Sequence, residues 1–124
     1  MEALRNLEVW QRGCRLAVST YHLSRDCRDF GFRDQLTRSA LSIPSNIAEG
    51  YERESNRERV RFLRISKGSC GEFWTQLLIG IEAGLIPKDQ AQPLRTESAE
   101  IAKMLSGLIK HFEVRDEDGI PRYS

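Results

Sequence analysis

The sequence has no long apolar run. Its 124 residues are 40% hydrophobic and 30% charged, and the mean hydropathy is −0.50. No stretch approaches the roughly 18 apolar residues that a membrane span needs. The first ten residues, MEALRNLEVW, also lack the charged and then apolar segments of a signal peptide. This profile predicts a soluble globular protein that works in the cytoplasm and has no membrane partner.

Residue types that carry metals and covalent catalysis are scarce. The three cysteines, Cys14, Cys27 and Cys70, form no CxxC pair, and the two histidines, His22 and His111, belong to no HExxH or ExxH pattern. No GxGxxG, GxSxG or Walker motif occurs, and GSCG at 68–71 matches none of them. We therefore expect reduced, mostly buried thiols, no metal, no cofactor and no enzymatic activity.

The chain shows helical periodicity and no strand-like alternation. Four helices are predicted, at about 7–25, 32–53, 56–83 and 88–113, with a frayed tail at 114–124. Short connections place sequential helices antiparallel. The predicted fold is all-α, a single domain over 1–124 with the architecture of an up-down-up-down four-helix bundle.

The third predicted helix is the best defined. Ser55 and Glu58 match a capping box at its start, and Gly84 is a natural stop. Its predicted core stripe contains Val60, Leu63, Lys67, Cys70, Trp74, Leu77 and Ile81. A second apolar face, with Phe62, Ile65 and Phe73, has no place in a monomeric bundle and indicates self-association. The alternative is one unusually broad core face.

The first predicted helix presents a single apolar face. Its members recur at steps of three and four: Leu7, Trp10, Cys14, Ala17 and Tyr21. Asn6 is the predicted cap of this helix.

The segment SIPSNIAEG, at 42–50, places a proline inside the second predicted helix. We expect Pro44 to kink this helix without breaking it, because an apolar stripe continues on both sides. A polar network is predicted beside the kink, and its members are Ser42, Asn46, Glu49, Ser69 and Glu72. Glu49 and Glu72 also raise the question of acid–base chemistry, but no nucleophile or metal set accompanies them, so a structural role is favoured.

A basic segment stands out in a chain whose net charge is only +1. Residues 53–67 carry six basic and two acidic side chains, a net +4. Four arginines follow steps of four, four and three, which is one helical face: Arg53, Arg57, Arg61 and Arg64. This stripe is either a contact surface for nucleic-acid phosphates or a solvated face paired with Glu54, Glu58 or a neighbouring subunit.

Three segments resemble a known family: LEVWQRG at 7–13, SIPSNIAEG at 42–50 and RFLRISKGSCGEFWTQL at 61–77. They are similar to a bacterial family of four-helix-bundle proteins encoded in intervening sequences of large-subunit ribosomal RNA genes. The resemblance covers about residues 4–112. It implies an antiparallel four-helix bundle that commonly assembles as a homopentameric barrel. It extends to the accessory variability determinant of diversity-generating retroelements, a basic barrel that binds nucleic acid and a reverse transcriptase.

Two functions remain open at this stage. The first is a non-enzymatic oligomeric scaffold that binds RNA or DNA weakly and without sequence preference through the arginine stripe. The second is an adaptor ring that docks another protein and has no nucleic-acid partner. No aromatic residue alternates with the arginines in the way that base stacking requires, so any nucleic-acid binding should tolerate all sequences.

Overall fold

The computed structural model describes residues 1–113, all of whose regular structure is helical. A short helix precedes four long ones: α1 Glu2–Arg5, α2 Glu8–Ser24, α3 Phe30–Tyr51, α4 Asn56–Glu82 and α5 Lys88–Glu113. Within the described range, no helix has the length and apolar content needed to cross a membrane. The tail that the sequence predicts to be frayed, 114–124, lies outside the described residues.

The four long helices form a closed antiparallel bundle. Helix α2 packs on α3, α3 on α4, α4 on α5, and α5 returns to α2. The direction of the α3–α4 pair follows from two hydrogen bonds. Ser39 Oγ donates to Gln76 Oε1 at 2.6 Å, whereas Ser66 Oγ, ten residues earlier in α4, donates to the carbonyl of Ile43 at 2.8 Å. Helices α3 and α4 therefore run in opposite directions.

Local signals set the helix ends. Ser55 Oγ accepts the backbone N–H of Glu58 at 3.2 Å, which confirms the Ser55 half of the predicted capping box. The Glu58 carboxylate accepts from Arg61. At the far end Gly84 has φ +73°, a conformation that favours glycine, and this confirms the predicted stop. The Asn6 prediction is wrong, because Asn6 ends α1 and the residue before α2 is Leu7, whose side chain supplies no cap.

The core face of α2 differs from the predicted one. Its buried residues include Gly13, Leu16 and Thr20, whereas Trp10 is half-buried and Tyr21 is 48% exposed. Thr20 is buried because its hydroxyl donates to the carbonyl of Leu16 at 2.7 Å, within its own helix. Hydropathy scores glycine and threonine as neutral or polar, so the prediction did not include Gly13 and Thr20. The predicted apolar face was therefore displaced around the helix from the face that is buried.

The second apolar face predicted for α4 is also largely internal. Phe73 is fully buried in the core, and Ser66 beside it is buried through its bond to Ile43. Of the residues assigned to this face, Ile65 is the exposed one. Trp74, which the predicted core stripe contained, is 42% exposed. A buried serine at the centre of the true core face explains the shift, because a serine usually indicates a solvent-facing position.

Helix α3 continues unbroken through Pro44, as predicted. The proline is buried, and it lies against Gly13 of α2. A Cβ atom placed on Gly13 would be 3.3 Å from Pro44 Cβ, which is a tight contact. The LEVWQRG and SIPSNIAEG segments therefore meet in space. Because Gly13 has no side chain, α2 approaches α3 closely at Pro44, the position where α3 lacks a backbone N–H donor.

Candidate nucleic-acid interface

The four arginines of the predicted stripe lie at the corner where α3 passes into α4. Arg53 belongs to the connection, and the other three lie on the first turns of α4. Arg57, Arg61 and Arg64 are exposed, whereas Arg53 is half-buried. Ser55, two residues after Arg53, caps α4 and so fixes where the helix that carries the other three arginines begins.

Phe62 brings two of these arginines together. The guanidinium of Arg53 lies 4.8 Å from the centre of its ring and that of Arg61 lies 4.5 Å away. Stacking of this kind holds a flexible arginine in place. The Nε of Arg53 is buried there without a hydrogen-bond partner among the described residues, whereas Arg61 is exposed. Phe62 itself packs against Gly50, where a Cβ atom would stand 3.2 Å from Phe62 Cβ. Sequence reasoning missed this role of Phe62, although its position beside Arg61 was the available signal.

Arg64 points away from this pair. Its Nη2 donates to Glu113 Oε1 of α5 at 2.8 Å. The structure therefore divides the predicted stripe into Arg53 and Arg61 around Phe62, Arg57 at the helix start, and Arg64 against the neighbouring helix. Arg57, Arg61 and Arg64 all lie within α4, so the division reflects the different partners that they meet: Phe62 for Arg61 and Glu113 of α5 for Arg64.

Carboxylates already accompany three of the four arginines. Arg53 pairs with Glu49, Arg61 Nε lies 3.1 Å from Glu58 Oε2, and Arg64 pairs with Glu113. Among residues 1–113, Arg57 has no ion-pair partner. Exposed pairs of this kind contribute only about 0–1 kcal/mol each, so a phosphate can replace the carboxylate at small cost.

Arg59 is the additional basic residue of this corner. Its Nη1 donates to Asn56 Oδ1 at 2.8 Å, and its guanidinium lies 5.6 Å from the ring centre of Phe112 in α5. Phe112 in turn meets Tyr51 edge-on, with ring centres 5.9 Å apart. Burial raises the pKa of Tyr51, so its hydroxyl stays protonated at neutral pH. Arg59 thus connects the arginine corner to α5 and faces away from Phe62.

Three of the five predicted network residues meet between α3 and α4. The hydroxyls of Ser42 and Ser69 lie 2.7 Å apart. Asn46 Nδ2 donates both to the Ser42 carbonyl and to its hydroxyl, each at 2.8 Å. These bonds satisfy polar groups on either side of the proline turn and join the two helices.

Glu49 and Glu72 are not part of this network. Glu49 is exposed and pairs with Arg53. Glu72 is exposed, and its side chain forms no hydrogen bond or ion pair with any described residue. Residues 1–113 also contain no group of histidine, cysteine and acidic side chains that could hold a metal ion. Burial raises the pKa of Cys70 to about 12, so this thiol is protonated at neutral pH.

Comparison with known proteins identifies the family. The model of the 23S rRNA-intervening sequence protein family matches residues 5–107. A crystal structure of a protein of unknown function, from the S23 ribosomal protein family of Bacteroides thetaiotaomicron VPI-5482, is similar, with a TM-score of 0.77 and 26% identity. The match covers 82% of this chain and 98% of that one. No curated protein matches this chain. With a helical bundle and a family model that match over most of its length, the chain belongs to the family of 23S rRNA-intervening sequence proteins.

Proposed function

We propose that this protein is a non-enzymatic, cytoplasmic, oligomeric scaffold that binds RNA or DNA weakly through Arg53, Arg57, Arg61 and Arg64. The observation that carries the proposal is the arginine corner, the group of four arginines at the junction of α3 and α4, of which Arg57, Arg61 and Arg64 are exposed and Arg53 is half-buried. Guanidinium groups bind phosphate oxygens through paired N–H bonds, which makes the nucleic-acid backbone the matching ligand.

The geometry favours binding without sequence preference. Reading a sequence requires contacts to base edges, and stacking on bases requires an open aromatic face. Arg53 and Arg61 both lie over the ring of Phe62, so this aromatic group is already engaged by cations. The arginines are therefore expected to contact phosphates and not bases, and the affinity from such contacts falls steeply as the salt concentration rises.

Charge reversal at the corner tests this function. Arg57→Glu together with Arg61→Glu should weaken binding to random-sequence single strands and duplexes alike, while helicity is retained because both side chains are exposed. The matched control is Arg25→Glu with Arg28→Glu, since these exposed residues carry the same charge at the opposite end of the bundle. Fluorescence anisotropy with labelled oligonucleotides measures both. Equal binding by the corner variant and the wild type would show that other basic residues make the contacts.

We also propose that the chain assembles as a homopentamer. A cyclic ring with an odd number of subunits needs two unlike surfaces that fit each other. The first candidate is the α2–α3 groove, an apolar cleft of about 400 Å³ whose lining includes Trp10, Cys14, Val18, Tyr21 and Leu41. The second is the α4 outer face, where Ile65, Leu78 and Ile79 are exposed. These surfaces lie on different sides of the bundle, as a head-to-tail ring requires.

Light scattering tests the assembly. The wild type should give a mass of about 72 kDa, five times the 14.3 kDa chain. Val18→Glu in the groove and Ile79→Glu on the α4 outer face should each lower this mass without loss of helicity, because both side chains are more than half exposed. Thr96→Glu, at an exposed site of α5, serves as the control. A wild type that is a 14.3 kDa monomer at micromolar concentration rules out the ring.

The second candidate function is an adaptor ring that binds another protein. It is favoured by the ion pairs that already engage Arg53, Arg61 and Arg64, and by the net charge of only +1. A nucleic-acid binding measurement at about 50 mM salt, where phosphate contacts are strong, distinguishes the two functions. Absence of any binding to RNA or DNA under those conditions selects the adaptor.

A further inference from the structure

A basic pocket lies between α4 and α5, beside the arginine corner. It has a volume of about 470 Å³ and is lined by Arg64, Lys67, Ser106, Ile109, Lys110 and Glu113. The spacing of these residues is helical on both sides: Arg64 and Lys67 are one turn apart on α4, and Ser106 and Lys110 are one turn apart on α5. Two antiparallel helices therefore direct three cationic side chains towards one cavity.

The charge of this α4–α5 pocket is not balanced by its own residues. Three cations face a single carboxylate, Glu113, which bonds to Arg64 through Nη2 at 2.8 Å. Among the described residues, neither Lys67 nor Lys110 has an ion-pair partner. Arg64 also retains further N–H groups besides the one that Glu113 accepts. The pocket therefore contains N–H donors and has a net positive charge, and both properties favour the binding of an anion.

Helix-end electrostatics explain only part of this arrangement. Lys110 lies in the last turn of α5, where a cation interacts favourably with the helix dipole. Lys67 lies in the middle of α4, more than two turns from either end, so no helix terminus accounts for its position. Ile109 forms an apolar base that is only 7% exposed, which limits water on one side of the cavity.

We propose that the α4–α5 pocket binds a phosphate group, held by Arg64, Lys67 and Lys110, and that this group is a backbone phosphate of the bound nucleic-acid strand. This inference rests on the proposed nucleic-acid binding and extends its surface from the arginine corner onto α5. Arg57 and Lys67 are ten residues apart on one helix, which corresponds to roughly 15 Å. A strand that contacts Arg57 can therefore reach the pocket along α4.

The experiment compares salt dependence of binding between variants. A labelled single-stranded oligonucleotide of mixed sequence is titrated by anisotropy between 50 and 200 mM salt. Loss of one neutralised phosphate reduces the log–log slope by about 0.7 for single strands. Lys67→Gln with Lys110→Gln should show this reduction, whereas Arg38→Gln with Lys88→Gln, exposed and outside the pocket, should not. Circular dichroism of each variant checks that the fold is kept.

A second variant should act in the opposite direction. Glu113→Gln removes the carboxylate that competes for Arg64, so binding should tighten by several-fold at 50 mM salt. Glu100→Gln, an exposed site on the same helix, is the control. A gain of affinity cannot come from damage to the fold, so this arm keeps the test independent of stability.

The outcomes separate the pocket from the proposed function. If the wild type binds the oligonucleotide and the double lysine variant has an unchanged slope, the pocket assignment is overturned while nucleic-acid binding stands. If the wild type binds no nucleic acid, the proposed function fails and the strand is excluded as ligand. In that case the protein is titrated with inorganic pyrophosphate, and the backbone amide resonances of Lys67 and Lys110 show whether the pocket binds free phosphates. Saturable shifts identify a pocket for free phosphates, and their absence overturns phosphate binding altogether.

Discussion

A single methyl group at Gly50 tests the packing that positions the arginine corner. Gly50 lies in the last turn of α3, and its Cα faces the segment of α4 that carries Arg59 and Phe62. In Gly50→Ala, the new Cβ atom would lie 3.2 Å from the carbonyl oxygen of Arg59 and 3.2 Å from Phe62 Cβ. Favourable contacts between carbon atoms lie at about 3.5–4.0 Å, so α4 must shift by a few tenths of an ångström.

The magnitude follows from two opposing contributions. Overpacking a tight contact costs about 1–3 kcal/mol, whereas replacing glycine by alanine inside a helix stabilises it by about 1 kcal/mol. Gly50→Ala should therefore reduce the free energy of unfolding by about 0–2 kcal/mol. Gly107→Ala is the matched control, because no atom lies within 4 Å of its added Cβ. This control should gain about 1 kcal/mol.

Urea unfolding monitored by circular dichroism measures both variants, with the protein concentration held constant because assembly would contribute to stability. The deciding quantity is the difference between the two alanine variants, expected to be about 1–3 kcal/mol. If Gly50→Ala stabilises the protein as much as Gly107→Ala does, then α3 and α4 do not approach as closely as described.

Two further changes test the core and the α2–α5 contact. Phe73→Glu should abolish the native helical signal in circular dichroism, because it places a charge at a fully buried position, and a variant with native helicity would contradict the core assignment. Arg12 donates to both carboxylate oxygens of Glu97, at 2.8 and 2.6 Å, and thereby lowers the pKa of Glu97. The resulting stabilisation is present above the usual carboxylate pKa of about 4.5 and is lost as the pH falls through the lower folded value. The melting-temperature difference between wild type and Glu97→Gln should therefore narrow from pH 7 to pH 3, and a constant difference would contradict this.

Features that depend on a few neighbouring residues were predictable from the sequence. The Ser55 cap and the Gly84 stop follow from local backbone chemistry, and the continuity of α3 through Pro44 follows from the apolar stripe on both sides of the proline. The order of the four long helices was predictable as well, because residues that favour turns separate the four patterns of apolar spacing. These signals act within one or two helical turns, so one sequence contains the information that they require.

The core faces were harder to predict, because they depend on partners that are distant in the chain. Gly13 is buried because Pro44 packs against it, and Ser66 is buried because Ile43 provides a carbonyl. The same limit applies to the site. Spacing identified Arg64 as a basic residue of the stripe, but its partner Glu113 lies 49 positions away on another helix. Periodicity describes one helix at a time and does not identify what lies opposite.

The salt dependence of nucleic-acid binding by the wild type is the most direct test of the account. Four arginines that each neutralise one duplex phosphate predict a log–log slope of about −3.6 per bound subunit, the same for unrelated sequences. Binding to random-sequence duplex DNA should therefore be measurable at 50 mM salt and fall steeply towards 200 mM. No binding at 50 mM salt, or an affinity that does not change over this range, would contradict phosphate contact through the arginine corner.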